Sequence, residues 1–211
     1  MTSFSHPIFA RCYGWLSHRM ERELGQHRHR LLAGLRGKVI EIGAGNGLNF
    51  SHYPAEVDQV LAVEPEPYLR GLAGHQAGRS AVPIEVIAGL ADRLPAPDES
   101  MDAAVTTLVL CSVPDQQTAL AEVGRVLRPG GQLRFLEHVR ADAPLLGRTQ
   151  RWLDATIWPA MAGGCHTHRD TAAAISAAGF TIIQLDRVRF PDLSISTPTS
   201  SHILGTALRS G

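Results

Sequence analysis

The chain has no excess charge of either sign and no long apolar run. Twenty basic residues balance twenty acidic ones among 211 residues, so binding to nucleic acid through phosphate neutralisation is disfavoured. The longest apolar runs, such as 103–111, fall well short of the roughly 20 residues that cross a bilayer. We therefore expect neither a membrane span nor a nucleic-acid partner.

Cysteine is also scarce. Cys12, Cys111 and Cys165 are isolated from one another and form no CxxC pair, which favours a reducing compartment over a disulfide-bonded secreted domain. The N-terminal residues lack the pattern of a signal peptide, so we expect a cytoplasmic protein. The run from Cys165 to His168 matches no standard zinc spacing, and no metal is expected.

What the chain does have is an alternation of apolar runs with helical patterns. Apolar residues at helical spacing between positions 9 and 35 predict one or two helices, which would form an N-terminal lid over residues 1–36. Five short apolar runs then predict strands at 38–42, 59–63, 84–88, 101–106 and 132–137. Since helical segments at 67–77 and 115–127 separate some of these strands, the pattern predicts a doubly wound α/β sheet.

The end of the chain has a different pattern. After a predicted helix near 169–178, strands at 181–188 and 201–208 follow without a helix between them, which predicts an antiparallel hairpin at the sheet edge. The segment 140–168 is rich in Trp, Pro and Gly and is too long for a simple connection. We interpret it as a cap inserted into a main domain of residues 37–211.

Glu41-Ile-Gly-Ala-Gly-Asn-Gly47 directly follows the first predicted strand. Its three glycines let the backbone turn sharply and approach a ligand at the edge of the sheet where ligands bind. A dinucleotide fingerprint would need glycine at Leu48, so a nicotinamide oxidoreductase is disfavoured. Glu64 ends the second strand, where a carboxylate can accept hydrogen bonds from both hydroxyls of a ribose. The alternative is a tight turn beside a surface acid.

Four motifs resemble those of the class I S-adenosylmethionine-dependent methyltransferases, especially the quinone-biosynthesis C-methyltransferases, over about positions 38–138. They are Glu41-Ile-Gly-Ala-Gly-Asn-Gly47, Val63-Glu64-Pro65, Leu94-Pro95-Ala96-Pro97-Asp98 and Leu127-Arg-Pro-Gly-Gly131. The resemblance implies a Rossmann-like sheet of seven strands with an antiparallel last strand. It also implies S-adenosylmethionine as cofactor and S-adenosylhomocysteine as product.

Further segments are similar to a narrower group, the methyltransferase-like thiol S-methyltransferases and their bacterial relatives. They include Asn49-Phe-Ser-His-Tyr-Pro54, Thr107-Leu-Val-Leu-Cys-Ser-Val113, Glu137-His-Val-Arg140 and Gly163-Gly-Cys165. This second resemblance spans most of the chain and implies a small thiol as the methyl acceptor.

The resemblance and the strand ends together give the candidate site residues. Cofactor contacts are expected from Glu41, Gly43, Ala44, Gly45, Asn46, Gly47, Glu64, Pro65, Leu90, Ala91, Thr107 and Leu108, with Tyr13 closing over them from the lid. Acceptor contacts are expected from Cys111, Glu137, His138, Trp158, His166 and His168. We interpret His138 as a general base or orienting group, the alternative being a structural histidine.

The predicted reaction is methyl transfer from S-adenosylmethionine to a small, largely apolar acceptor. A thiol is favoured because its ordinary pKa, near 8.5, leaves little for a base to do. Methylation of carbon or oxygen in a quinol or phenol is the second interpretation, and it would need His138 as base. A non-catalytic protein that binds the cofactor is the third.

Overall fold

The computed structural model describes residues 7–156, 158–191 and 197–210. The chain opens with one continuous helix, α1 (Pro7–Leu32), which the sequence left as one or two. Leu24, Leu31 and Leu32 of its second half are fully buried, as their helical spacing predicts. The side chain of Tyr13, which we expected to close over the cofactor, lies outside the described residues.

The sheet has seven strands in the order β3-β2-β1-β4-β5-β7-β6. Their bounds are β1 Gly37–Ile42, β2 Val57–Val63, β3 Ile84–Ile87, β4 Met101–Thr107, β5 Leu127–His138, β6 Phe180–Arg189 and β7 Ser201–Arg209. Neighbouring pairs from β3 to β5 are parallel, whereas β7 runs antiparallel to both β5 and β6. The predicted doubly wound sheet with an antiparallel last strand is confirmed.

In the described part of the chain, five further α-helices and a short 3-10 helix (Phe50–His52) connect the strands, and acidic side chains cap three of the α-helices. Their bounds are α2 Pro67–Ala77, α3 Gln116–Val126, α4 Pro144–Asp154, α5 Trp158–Met161 and α6 Thr171–Ala177. The carboxylates of Glu66, Asp115 and Asp170 each accept a backbone N–H of the first turn that would otherwise lack a partner. The last predicted helix therefore begins after Asp170 and not at 169.

Alternating residues of each strand face different helices, and this alternation decides what reaches the site. In β1, Ile40 and Ile42 pack into the core shared with α3 and α6, and Val39 packs into the core beneath α1 and α2. Glu41 follows the alternation and faces the same side as Val39. In β5, Glu137 shares the face of Phe135, and His138 shares the opposite one.

Across the part of the chain that the structure describes, none of the helices has the length and apolar character of a membrane span. The cytoplasmic location and the absence of a nucleic-acid partner stay predictions.

Candidate active site

A cleft of about 300 Å³ opens where the parallel strands end, at the lower limit of small-molecule pockets. The residues around it come from the glycine loop, the ends of β2 and β4, the turn after β3 and the segment after β4. They include Gly43, Gly45, residues 63–66, 89–92, 107–109 and 112–115, and Gly163 of the predicted cap. The cleft therefore lies where ligands of doubly wound sheets bind.

The glycine loop folds back over the end of β2. The backbone amides of Gly43 and Ala44 both donate to the Val63 carbonyl, at 2.8 and 3.1 Å. Gly43 has a φ of +65°, and a Cβ on it would lie 2.5 Å from Cγ2 of Val109. Only glycine allows this turn to approach the Val109 wall of the cleft so closely.

Glu64 is buried at the mouth of the loop, with 5% of its surface exposed. One carboxylate oxygen accepts the Gly45 amide at 2.7 Å and the other accepts the Glu66 amide at 2.9 Å. Burial raises the pKa of Glu64, although these two amides oppose the shift. Since each oxygen has a second lone pair, the side chain can still accept two hydroxyl groups from a ligand in the cleft.

Many of the predicted cofactor residues line this cleft. They are Gly43, Gly45, Glu64, Pro65, Leu90, Ala91, Thr107 and Leu108. Leu108 has a φ of +59°, which is uncommon for a residue with a side chain. Its amide donates to the Leu136 carbonyl of β5 at 2.8 Å, which fixes the turn after β4. The strained turn brings Thr107 and Val109 to the cleft.

Glu41, Ala44, Asn46 and Gly47 are not among the residues that line the cleft. Because Glu41 faces α1, its carboxylate accepts the Tyr53 hydroxyl at 2.6 Å and the Asn49 amide at 2.9 Å. Burial raises the pKa of Glu41 to about 7. Asn46 donates to the Ser17 hydroxyl of α1 at 3.0 Å. Glu41 and Asn46 therefore anchor the loop to the segment 49–54 and to α1.

Asn49 joins this buried network to the cleft and was not among the predicted site residues. Its carbonyl oxygen accepts Arg28 Nη1 at 2.7 Å, and its amide nitrogen also donates to Thr107 Oγ1 at 3.0 Å. Arg28 is itself paired with Glu21 at 3.1 Å. The segment 49–54 carried part of the family resemblance, but nothing in its pattern distinguished the side chain that bridges α1 and the cleft.

Glu137 organises the loop after β4 from below. It is fully buried and accepts the backbone amides of Val109 and Cys111 at 3.2 and 3.3 Å. Burial raises the pKa of Glu137 to about 7. We expected this side chain to touch the acceptor. The structure instead has it hold the backbone of residues that line the cleft.

The segment 163–169 packs directly on that loop. Arg169 Nη1 donates to the carbonyls of Leu110 and Val113, each at 2.7 Å. Gly164 has a φ of +89°, and a Cβ there would lie 2.7 Å from the Ser112 carbonyl oxygen. Asp154, at the end of α4, accepts the backbone amides of residues 167 and 168. These contacts fit the cap predicted at 140–168, although its boundaries stay a prediction.

His138 lies apart from the cleft, contrary to our expectation. It shares the face of β5 that is turned from Glu137 and stacks on His202 with ring centroids 5.1 Å apart. Its Nε2 contacts the Pro198 carbonyl at 3.1 Å, and its Nδ1 contacts Cys165 Sγ at 3.5 Å. Burial, with His138 beside it, lowers the pKa of His202 to about 3.

None of the predicted acceptor residues is among those that line the cleft within the described ranges. This holds for Cys111, Glu137, His138, Trp158, His166 and His168. Besides the predicted cofactor residues, the cleft is lined by Val109, Ser112, Val113, Pro114, Asp115, Thr118 and Ala119, with Gly163 of the cap. We expect the acceptor among these residues. The start of α3 therefore contributes to the site, which its apolar pattern alone did not reveal.

Comparisons with known proteins agree with this geometry. A methyltransferase domain model matches residues 40–135. The chain is 38% identical over 183 residues to mouse thiol S-methyltransferase TMT1B, an alignment that covers 84% of this chain and 74% of the relative. It belongs to the class I S-adenosylmethionine-dependent methyltransferases. This methyltransferase is also 37% identical over 132 residues to the 2-phytyl-1,4-naphtoquinone methyltransferase of Synechococcus elongatus, covering 59% of this chain and 56% of the relative.

A solved structure of geranyl diphosphate methyltransferase in complex with S-adenosylmethionine has the same fold. The TM-score is 0.70 at 14% identity, with 91% of this methyltransferase and 86% of that chain covered. The cofactor of this methyltransferase is S-adenosylmethionine. The residues at the cleft fit it, because Glu64 retains two free lone pairs and Gly43 leaves the cradle open.

Proposed function

We propose that this methyltransferase methylates the sulfur of small, largely apolar thiols. The similarity to thiol S-methyltransferase TMT1B supports a thiol as acceptor. Val109, Val113 and Pro114 line the acceptor end of the cleft and favour an apolar molecule there. S-adenosylmethionine supplies a methyl group on a sulfonium, so the chain must mainly hold the acceptor in line and exclude water.

The ionisable groups at the cleft give the main support for a thiol as the acceptor. Among the described residues that line it, those that ionise are the carboxylates Glu64, Glu66, Asp92 and Asp115, and no histidine, cysteine, tyrosine or lysine is present. The pKa of Asp115 is held low by hydrogen bonds from Thr118 and the Gln117 amide, which makes it a weak base. A thiol, partly ionised near neutral pH, suits such a site better than a phenol or alcohol.

The similarity to a naphthoquinone methyltransferase favours a second candidate, C- or O-methylation of a quinol or phenol. That reaction calls for a base, and the predicted base is His138. Both of its ring nitrogens already have partners, Pro198 and Cys165. This arrangement supports the thiol over the quinol. A catalytically silent protein that binds S-adenosylmethionine is the non-enzymatic alternative.

Product analysis with purified protein separates the three candidates. The protein is incubated with S-adenosylmethionine and matched panels of aliphatic thiols, aromatic thiols, phenols and quinols, and S-adenosylhomocysteine and methylated products are quantified by mass spectrometry. We expect thioethers from apolar thiols and little product from phenols. Products from quinols alone would replace the first candidate with the second, and cofactor binding without product from any panel would support the third.

A further inference from the structure

Polar side chains surround the sulfur of Cys165. Cys165 is partly exposed in the cap. His138 Nδ1 lies 3.5 Å from its Sγ, and the Cys111 thiol and the Trp158 indole lie near it. A thiol beside a histidine ionises more readily than an isolated one.

The contacts of His138 fix the direction of proton transfer. The Pro198 carbonyl can only accept, so Nε2 at 3.1 Å from it carries the ring hydrogen. Nδ1 of the neutral ring is then an acceptor and points at the Cys165 thiol. Transfer of the thiol proton to Nδ1 gives a thiolate beside an imidazolium, the pair that activates cysteine nucleophiles.

Trp158 adjoins this group. Its indole Nε1 is buried and has no hydrogen-bond partner among the described nitrogen, oxygen and sulfur atoms. An unpaired buried donor is costly. A negative charge on the Cys165 sulfur, which the indole faces, reduces that cost.

The two neighbouring thiols differ in acidity. The hydrogen bond from Cys111, together with His138, lowers the pKa of Cys165 against the effect of burial. The same hydrogen bond, burial and the nearby Glu137 raise the pKa of Cys111 well above its usual value. Cys165 is therefore the nucleophile of the pair, and Cys111 stays protonated until the second step.

We propose that Cys165 and Cys111 form a thiol–disulfide exchange pair that reacts with small disulfides. The Cys165 thiolate bonds to one sulfur of the disulfide, whose S–S bond breaks, and the departing thiolate takes the electron pair and then a proton from solvent. Cys111 then loses its proton and attacks the Cys165 sulfur, releasing a second thiolate. The two protein thiols are oxidised by two electrons, and the small disulfide is reduced to two thiols.

The backbone is arranged for such a bond. The His166 amide donates to the Cys111 carbonyl at 2.8 Å, so the two chain segments that carry the thiols run side by side. Disulfides require this kind of short backbone separation. Because Ser112 and Gly163, each a near neighbour of one cysteine, line the cleft, the disulfide would fasten the cap to the loop at the acceptor end.

The test uses oxidised glutathione and intact-mass spectrometry on full-length protein in which Cys12 is replaced by serine. We expect the reduced protein to lose two hydrogens, to give a peptide cross-linked between Cys111 and Cys165, and to recover on adding dithiothreitol. In Cys111→Ser the reaction should stop with one glutathionyl group on Cys165. Cys165→Ser should leave Cys111 unmodified.

Two further variants guard against a purely structural effect. His138→Gln and Trp158→Phe retain both thiols, and each should move the pH midpoint of the alkylation rate of Cys165 upward, toward the roughly 8.5 of an ordinary thiol. Circular dichroism and cofactor binding show whether each variant is folded. The proposal is overturned if folded protein forms no cross-link, if Cys111 reacts first, or if neither variant shifts the midpoint. Because the readout is protein mass and thiol reactivity, the result is independent of which acceptor is methylated.

Discussion

The two ends of the cleft are built in different ways. At the end expected to hold adenosine, Gly43, Gly45 and Glu64 line the cleft themselves, in the turns that follow β1 and β2. At the end expected to hold the acceptor, Glu137 and Arg169 act at a distance by holding backbone atoms of residues 109–113. The first end therefore depends on residues that line it, and the second on side chains that shape a loop from behind.

The largest effect is expected at the adenosine end, from Glu64→Ala. The change removes a charged acceptor of two hydroxyls and leaves the Gly45 and Glu66 amides without their partner. Affinity for S-adenosylhomocysteine should fall by about 100-fold or more, since each charge-assisted hydrogen bond contributes about 1.5–3 kcal/mol. Isothermal titration measures the loss. Glu64→Gln keeps one acceptor oxygen, so its affinity should lie between that of the unmodified protein and that of Glu64→Ala. Unchanged affinity in Glu64→Ala would refute a role for Glu64 in binding the ribose.

Gly43→Ala tests the close approach of the loop to the opposite wall. The new Cβ would lie 2.5 Å from Val109, so either the loop or Val109 must shift, at a cost of about 1–3 kcal/mol in unfolding free energy. Thermal unfolding and cofactor titration should both show the change. Gly74→Ala in α2 is the matched control, because nothing lies within 4 Å of its Cβ position, and it should be neutral or slightly stabilising.

Arg169→Ala should affect the two ends of the cleft differently. It removes two hydrogen bonds from the guanidinium to the carbonyls of Leu110 and Val113. Because these bonds hold the loop in shape, the rate of acceptor methylation should fall by about tenfold or more. The affinity for S-adenosylhomocysteine should change little. The exposed Arg151→Ala serves as control in the same cap. Equal losses of methylation rate and of affinity for S-adenosylhomocysteine would mean that the cleft behaves as one unit.

The smallest effect on cofactor binding is expected from Glu41→Gln. This substitution should instead change how the free energy of unfolding depends on pH. Burial raises the pKa of Glu41 from 4.5 to about 7, so the folded state binds more protons than the unfolded state between these values. The contribution of this group to stability is therefore present below pH 4.5 and is lost as the pH rises toward 7. Denaturant unfolding at several pH values measures the free energy of unfolding. Between pH 4.5 and 7 it should fall less steeply in Glu41→Gln than in the unmodified protein. The same slope in both would contradict a raised pKa for Glu41.

The difference between the two ends also explains how far the sequence could predict them. The doubly wound sheet, the hairpin at its edge and the residues at strand ends follow from local patterns, since parallel strands place their carboxyl ends along one edge. Asn49, Arg28 and the alternation that turns Glu41 toward α1 depend on packing between distant segments. His138 and Glu137 end β5 on opposite faces and neither lines the cleft, so a position at a strand end alone did not predict their contacts.

The most direct measurement is a crystal structure with S-adenosylhomocysteine. We expect both ribose hydroxyls within hydrogen-bond distance of the Glu64 carboxylate, the adenine between Pro65 and Leu90, and the sulfur directed toward Thr107 and Ser112. A ligand bound elsewhere, or a nucleoside that makes no contact with Glu64, would contradict it.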